Sequence, residues 1–153
     1  MHVVPGTRGL NSPLASGMRR ALVLAAAALL LLGCYNQEAE RVERIAQDAT
    51  DHFHEQLSAG QFDEIYRTSD PELRRRQSAS TFIVYLRDAQ ARLATAKSRR
   101  QFHTGVVLQR DHATVVLAYD VDVGDAIVSE QISWVIREQA TLSDYYIETT
   151  ASR

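Results

Sequence analysis

The sequence predicts an α+β domain over residues 38–150, in which N-terminal helices pack on a four-stranded antiparallel sheet. Apolar residues recur every three or four positions as far as about Leu93, and they alternate with polar residues from about Gln101 to Thr150. Helical periodicity followed by strand periodicity is the order typical of α+β folds. Short turns separate the alternating runs, which favours antiparallel pairing because parallel strands need long crossovers.

The first predicted helix spans Glu38 to Ala59. Its apolar residues recur at helical spacing on one stripe, which predicts that this face is buried. Asn36 is the expected N-cap and Gly60 the expected stop, because a polar residue before a helix and a glycine after it satisfy free backbone groups. The stripe comprises Val42, Ile45, Ala46, Ala49, Phe53 and Leu57.

Two further helical segments are predicted before the sheet. The first begins at Phe62 and ends before Pro71, since proline disfavours helix in the preceding residue and can itself open a new turn. Ser78 or Ser80 is expected to cap the second segment. The apolar residues of that segment are Phe82, Tyr85, Leu86, Ala89 and Leu93.

Four alternating runs are predicted to form a strand meander. The first starts near Gln101, the second is Ala113 to Val123, the third Ala126 to Arg137, and the fourth Leu142 to Thr150. The pair Gly124 and Asp125 predicts a tight hairpin turn. The sets that share a face are Phe102, Thr104, Val106 and Leu108 in the first run, Val128, Ile132, Trp134 and Ile136 in the third, and Tyr145, Ile147 and Thr149 in the fourth.

Residues 18–33 have the organisation of a secretory signal peptide. Two arginines form the charged start, a run without polar side chains follows, and Gly33 precedes Cys34. A membrane-spanning helix needs about 20 apolar residues, more than this run supplies, so cleavage is expected. Residues 1–17 do not fit a signal peptide and are predicted to be an upstream extension, with translation beginning at Met18.

The stretch Leu31-Leu32-Gly33-Cys34 resembles the lipobox of bacterial lipoproteins. The resemblance implies that the Cys34 sulfur receives diacylglycerol, and that cleavage frees its amine for a further acyl chain such as palmitate. Residues 34–37 would then be the lipidated cysteine and a tether. Because Tyr35 rather than Asp follows Cys34, the resemblance implies the periplasmic face of the outer membrane. The chain has one Cys, so no intramolecular disulfide can form.

The charge of the predicted mature domain argues against nucleic acid as a partner. Of the 17 Lys and Arg residues, Arg8, Arg19 and Arg20 precede Cys34, whereas all 19 Asp and Glu residues follow it. A mildly acidic domain lacks the basic surface that binding to a phosphate backbone usually requires.

The mature region resembles small uncharacterised lipoproteins of the nuclear transport factor 2-like, or cystatin-like, superfamily. The resemblance covers about residues 38–150 and implies a curved sheet wrapped around a long helix, forming a cone with an open end. That superfamily includes isomerases, dehydratases and plain binding modules, so the resemblance implies no particular activity. It rests on the Gly60-Gln61-Phe62-Asp63-Glu64-Ile65-Tyr66 stretch, a Ser-Asp-Pro-Glu-Leu stretch at 69–73, a second long helix opened by Ser80, Tyr119, Glu130 with Trp134, and Tyr146-Ile147.

Asp48, His52 and Glu55 lie at four- and three-residue spacing on one face of the first predicted helix. These side chains are of the types that bind divalent metals. The set is incomplete as a ligand sphere and lies beside the apolar stripe, so we expect a solvated charged surface and assign no metal or cofactor.

Asp120 and Asp122 share a strand face and are candidates for paired acid and base carboxylates. His103, Tyr119 or Tyr146 would be the partners of such a pair inside a cone. No spacing forces these groups together, so we expect polar residues on a solvated face leading into the turn at Gly124.

Clustered arginines are a candidate surface for lipid phosphates or an acidic partner. They are Arg67, Arg74, Arg75, Arg76, Arg99 and Arg100. Runs of this kind are usually solvated, and solvation is the expectation here.

Aromatic and polar side chains predicted near the mouth of the cone would suit a small apolar ligand. They are Tyr66, Tyr85, His103, Tyr119, Asp120, Trp134 and Tyr145. The chain has no Gly-rich phosphate loop and no Gly-x-Ser-x-Gly turn, and no catalytic residue is assigned. We therefore expect a non-catalytic, lipid-anchored module that binds an envelope protein or small ligand. The alternatives are a small isomerase, dehydratase or hydrolase, and a structural homodimer.

Mass spectrometry of the native protein tests the predicted processing. We expect a mature chain that begins at Cys34 and carries acyl groups on that residue. An unmodified Cys34 thiol, or a leader still attached to the purified protein, would contradict the prediction.

Overall fold

A computed structural model describes the backbone of residues 14–152 and the side chains of residues 36–150. The chain divides into two units, residues 1–37 and 38–153, of which the second is the domain described below. Residues 1–13 and the side chains of the predicted lipobox lie outside the described part. Among the described residues, no helix combines the length and apolar content needed to cross a bilayer.

Within residues 14–152, four helices precede a four-stranded sheet, which confirms the α+β order. The helices are α1 (Leu14–Ser58), α2 (Phe62–Thr68), α3 (Pro71–Arg76) and α4 (Ala79–Leu93). The strands are β1 (Ser98–Leu108), β2 (Ala113–Asp122), β3 (Ala126–Ile136) and β4 (Ala140–Ser152). All neighbouring strands pair antiparallel in the order β1-β2-β3-β4, so the predicted meander is confirmed.

Helix α1 buries the predicted stripe, with Phe53 and Leu57 among its core residues. It ends where expected, because Gly60 adopts a positive φ of 71° that favours glycine. The prediction of Asn36 as an N-cap is wrong, since Asn36 lies inside α1. The Ala- and Leu-rich residues before it have high helix propensity, so nothing interrupts the helix at that point.

Side-chain caps begin helices α3 and α4. Asp70 precedes Pro71, and its carboxylate accepts a hydrogen bond from the Glu72 N–H at 2.9 Å. Ser78 rather than Ser80 caps α4, with its Oγ accepting from the Thr81 N–H at 3.3 Å. These caps fix the path of the chain between α1 and the sheet.

One face of the sheet forms the core with the helices. Inward residues of the central strands, such as Leu117 and Ile132, are fully buried, as are Phe82 and Leu86 of α4. Trp134 Nε1 donates a hydrogen bond of 2.9 Å to the Thr50 hydroxyl, which ties α1 to β3. The core therefore lies between a helical layer and one sheet face.

A β-bulge between Gln101 and His103 alters the predicted pattern of β1. The bulge adds one residue to β1 relative to β2, so the alternation of faces is shifted on either side of it. Phe102, predicted to share a face with Thr104 and Val106, is 54% exposed. The interpretation of Phe102 as part of that face is therefore wrong.

Asp70 links α3 to the last two strands. Its backbone N–H donates to the Leu142 carbonyl at 2.8 Å, and its Oδ2 accepts from Arg137 Nη1 at 3.2 Å and Thr141 Oγ1 at 3.3 Å. The Asp70→Ala substitution removes a helix cap and a buried acceptor of charge-assisted bonds. We expect it to lower the free energy of unfolding by about 2–3 kcal/mol.

Urea denaturation measures this loss, and Asp63→Ala is the matched control. Asp63 is exposed in the first turn of α2, so its removal should change stability by less than about 0.5 kcal/mol. Equal effects of the two substitutions would show that Asp70 does not hold α3 against the sheet.

Candidate functional site

A carboxylate lies inside the domain on the inward face of β3. Glu130 is charged and yet has no exposed surface, and its inward neighbours on the same strand are the apolar residues Val128 and Ile132. It pairs across the sheet with Tyr119 of β2 and Ile147 of β4. Burying an ionised carboxylate is costly unless it is paired and hydrogen-bonded, so its surroundings decide what it can do.

Three side chains from three other elements contact the Glu130 carboxylate. His54 Nε2 of α1 lies 3.1 Å from both carboxylate oxygens. The Tyr145 hydroxyl of β4 donates to Oε1 at 2.9 Å. Arg99 Nε of β1 lies 3.1 Å from Oε2 and forms an ion pair with it. We call Glu130, His54, Arg99 and Tyr145 the Glu130 network.

The contacts of the network define the tautomer of His54. Arg99 Nη1 lies 3.1 Å from His54 Nδ1, and a guanidinium can only donate. Nδ1 is therefore the acceptor, which leaves the ring proton on Nε2, where it is donated to Glu130. In this arrangement His54 is neutral, and the positive charge of Arg99 balances the negative charge of Glu130.

The network favours the ionised form of Glu130. Burial acts to raise the pKa of the Glu130 carboxyl. The hydrogen bond and electrostatic interaction with His54, the charge of Arg99 and the Tyr145 hydrogen bond together outweigh burial and lower that pKa. Burial together with the charge of Glu130 raises the pKa of Tyr145, and the same two causes raise the pKa of Tyr119 to about 12. Both phenols are therefore protonated donors at neutral pH.

Aromatic rings surround the network. Arg99 lies over the Tyr119 ring at 6.0 Å, and the His54 and Tyr119 rings meet edge-to-face at 6.4 Å. Tyr145 packs against Phe53 at 4.9 Å and Tyr85 at 5.9 Å. These rings exclude water from the carboxylate and restrict the movement of its partners.

A cleft of about 540 Å³ lies on the solvent side of the network. It is formed by the end of α1, the end of α4 and the start of β1. We call it the Arg99 cleft. Its lining residues are His54, Leu57, Ser58, Gln90, Ala91, Leu93, Ala94 and Arg99.

The structure brings only some of the predicted pocket residues together. Tyr119 and Tyr145 lie beside Glu130, while Trp134 is further along β3 and bonded to Thr50. His103 and Asp120 lie on the outer face of the sheet.

The other two predicted tyrosines serve packing and backbone contacts. Tyr85 accepts a hydrogen bond from the Ile147 N–H at 2.8 Å. Tyr66 donates to the Gln77 carbonyl at 2.9 Å and packs against Phe82. Neither lines the Arg99 cleft.

The predicted carboxylate pair takes part in local surface contacts. Asp120 forms a 2.7 Å ion pair with Arg100, and Asp122 accepts a hydrogen bond from the Gly124 N–H at 2.8 Å. Tyr146, named as a partner for such a pair, is exposed and donates to Glu148. These contacts do not form an acid and base pair around a cavity.

Asp48, His52 and Glu55 are exposed on α1, with His52 Nδ1 lying 3.6 Å from Glu55 Oε2. Within the described residues, no group of three His, Cys, Asp or Glu side chains is arranged to hold a metal ion.

Most of the clustered arginines have local partners. Arg67 pairs with Glu64 and Arg75 with Glu72. Arg76 donates to the Ser143 carbonyl at 2.8 Å. Arg99 differs from these residues because it reaches a buried carboxylate.

The sequence interpretation missed His54, placed Arg99 only in a cluster of surface arginines, and used Glu130 only as part of the family resemblance. A signal was present for Glu130, since one charged residue interrupts the alternating apolar face from Val128 to Ile136. His54 lies outside the spacing of the apolar stripe. Arg99 precedes the point where the predicted strand began, so neither had a comparable signal.

Comparison with known proteins identifies no relative for this arrangement. No protein family, no curated protein and no solved structure matches the chain.

The Glu130→Gln substitution tests the network as an ionised structure. We expect it to lower the free energy of unfolding at neutral pH by about 2–3 kcal/mol. This loss is smaller than that from breaking a fully buried ion pair, because Arg99 keeps some hydration. The folded-state pKa of Glu130 lies below its ordinary value of 4.5. Its stabilisation is therefore complete above about pH 4.5 and is lost as the pH falls through the folded-state pKa.

Urea denaturation at neutral pH and between about pH 5 and pH 3 measures this dependence. The difference between wild type and Glu130→Gln should shrink as the pH falls. Glu148→Gln, at an exposed carboxylate of β4, is the control and should leave stability nearly unchanged. A Glu130→Gln deficit that is constant with pH would contradict an ionised Glu130.

Proposed function

We propose that this chain is a lipid-anchored cell-envelope protein whose mature domain binds a small ligand in the Arg99 cleft without transforming it. The proposal includes a signal peptide over residues 18–33, lipidation at Cys34, and membership of the nuclear transport factor 2-like superfamily. The folded domain then has no need to attach itself to the membrane, because two or more acyl chains give stable anchoring.

The observation that carries the binding role is the composition of the cleft. Its lining combines the apolar side chains of Leu57, Leu93, Ala91 and Ala94 with the guanidinium of Arg99. A volume of about 540 Å³ falls within the range of roughly 300–1,000 Å³ that is usual for small-ligand sites. An apolar surface with a few placed polar groups is the usual composition of such sites.

The hydrogen bonds of the network support binding rather than catalysis. A general base needs a lone pair that can reach the substrate. Both nitrogens of His54 are engaged, one with Glu130 and one with Arg99, and both oxygens of Glu130 have partners. Such a saturated network is suited to holding Arg99 in place.

A cone-pocket enzyme is the second candidate, and the contact between His54 and Glu130 favours it. A carboxylate that accepts from Nε2 would orient the ring and raise the basicity of Nδ1. Withdrawal of Arg99 from Nδ1 would then free that atom as a general base facing the cleft. This candidate requires a movement of Arg99, whereas the binding role does not.

An uncharged fluorescent apolar probe such as N-phenyl-1-naphthylamine tests the binding role. We expect saturable binding to the wild-type domain with a rise in fluorescence. The Ala91→Trp substitution should weaken this binding about tenfold or more, because an indole would fill the cleft.

Val84→Trp is the matched control on the same helix. Val84 is 64% exposed and lies two turns from Ala91, about 10 Å along α4. Its substitution should leave probe binding unchanged. The absence of saturable binding to the wild type, or equal binding by wild type and Ala91→Trp, would refute the proposal.

A further inference from the structure

We propose that the ligand of the Arg99 cleft is a single-chain carboxylate amphiphile, with its carboxylate on the Arg99 guanidinium and its apolar chain along Leu57 and Leu93. This inference rests on the proposed binding function and names the chemical class of its ligand. It follows from the hydrogen-bonding character of the charged end of the cleft, the charge at that end and the apolar surface beside it.

The charged end of the cleft offers donors. Arg99 directs Nε to Glu130 and Nη1 to His54, and its side chain is 30% exposed. Its Nη2 makes no hydrogen bond to any side chain or backbone group in the described part of the chain. The exposed edge of the guanidinium therefore presents N–H groups that need an acceptor. His54 contributes no free acceptor there, because Nδ1 is already occupied by Arg99.

A carboxylate is a suitable acceptor for the free N–H groups of Arg99, because hydrogen bonds between a guanidinium and a carboxylate are charge-assisted. Glu130 and His54 hold the other side of Arg99, so little side-chain entropy remains to be lost on binding. The aromatic ring of Tyr119 against Arg99 restricts it further. Although Glu130 balances its charge, Arg99 keeps free N–H donors at the cleft, and these favour an anionic acceptor over a neutral head group of the same size.

The remainder of the cleft favours an unbranched apolar chain. Leu93, Ala91 and Ala94 supply most of the accessible apolar surface, while Leu57 is only 3% exposed, and the small alanine side chains leave room along α4. Two polar donors of the lining are already engaged in the protein: Gln90 Nε2 donates to the Ser58 carbonyl at 3.0 Å, and the Ser58 hydroxyl donates to the Glu55 carbonyl at 2.8 Å. A ligand with several polar groups along its length would leave them without partners here.

Calorimetric titration of the wild-type mature domain with octanoate, 1-octanol and octylamine tests the inference. The probes share a chain and differ in head-group charge, so no variant has to fold for the comparison. We expect octanoate to bind at least about tenfold more tightly than 1-octanol. Octylamine should bind more weakly than 1-octanol, because its charge is repelled by Arg99.

Nuclear magnetic resonance locates the carboxylate. The Arg99 side-chain N–H signals should shift on addition of octanoate and change little with 1-octanol. The Arg99→Gln variant should bind octanoate and 1-octanol within about twofold of each other. Arg100→Gln removes the same charge from the outer sheet face, where Arg100 pairs with Asp120, and should retain the wild-type preference.

The outcomes separate the two proposals. Equal or tighter binding of 1-octanol by the wild type overturns the carboxylate assignment but leaves a binding cleft in place. If none of the three amphiphiles binds saturably and the neutral fluorescent probe does not either, both the carboxylate assignment and the proposed binding function fail. Shifts of Arg100 signals in place of Arg99 signals would also overturn the assignment.

Discussion

Glu130 is the point on which the domain depends, because its charge can be buried only with the help of three other elements. The carboxylate comes from β3, its imidazole partner from α1, its guanidinium partner from β1 and its phenol partner from β4. Loss of any one contact would leave charge or hydrogen-bonding capacity unsatisfied in an apolar interior. The network therefore joins the helical layer to both outer strands of the sheet, in addition to the apolar core.

The same constraint determines the chemistry available at the surface of the network. His54 is neutral and both of its nitrogens are engaged, so the exposed edge of the network offers only the N–H donors of Arg99. An arginine in solution would share its donors with water and sample many rotamers. Here its orientation is fixed from behind, and its free N–H groups point to an apolar cleft where competition from water is reduced.

Much of the fold was predictable from periodicity, but the site was not. Apolar periodicity reflects burial directly. It therefore predicted the helices and strands correctly, from the helical spacing of Val42 to Leu57 and from the alternation along β3 and β4. The bulge at Gln101 to His103 has no signature in the sequence, which is why Phe102 was placed on the wrong face. His54 and Glu130 are 76 positions apart, and no local pattern shows that a histidine will meet a carboxylate across the core. The prediction of Asn36 as an N-cap was wrong for a different reason. The residues before Asn36 are themselves helical, so the helix does not begin there.

The bulge in β1 has a consequence for the two consecutive arginines that precede it. Thr104 beyond the bulge faces inward, and an unbroken two-residue alternation back from it would turn position 100 towards the core and position 99 towards solvent. The extra residue reverses that phase, so Arg99 reaches Glu130 while Arg100 pairs with Asp120 outside. Loss of the bulge at unchanged strand length would therefore turn Arg100 inward and Arg99 outward, and so alter the site without substituting any of its residues.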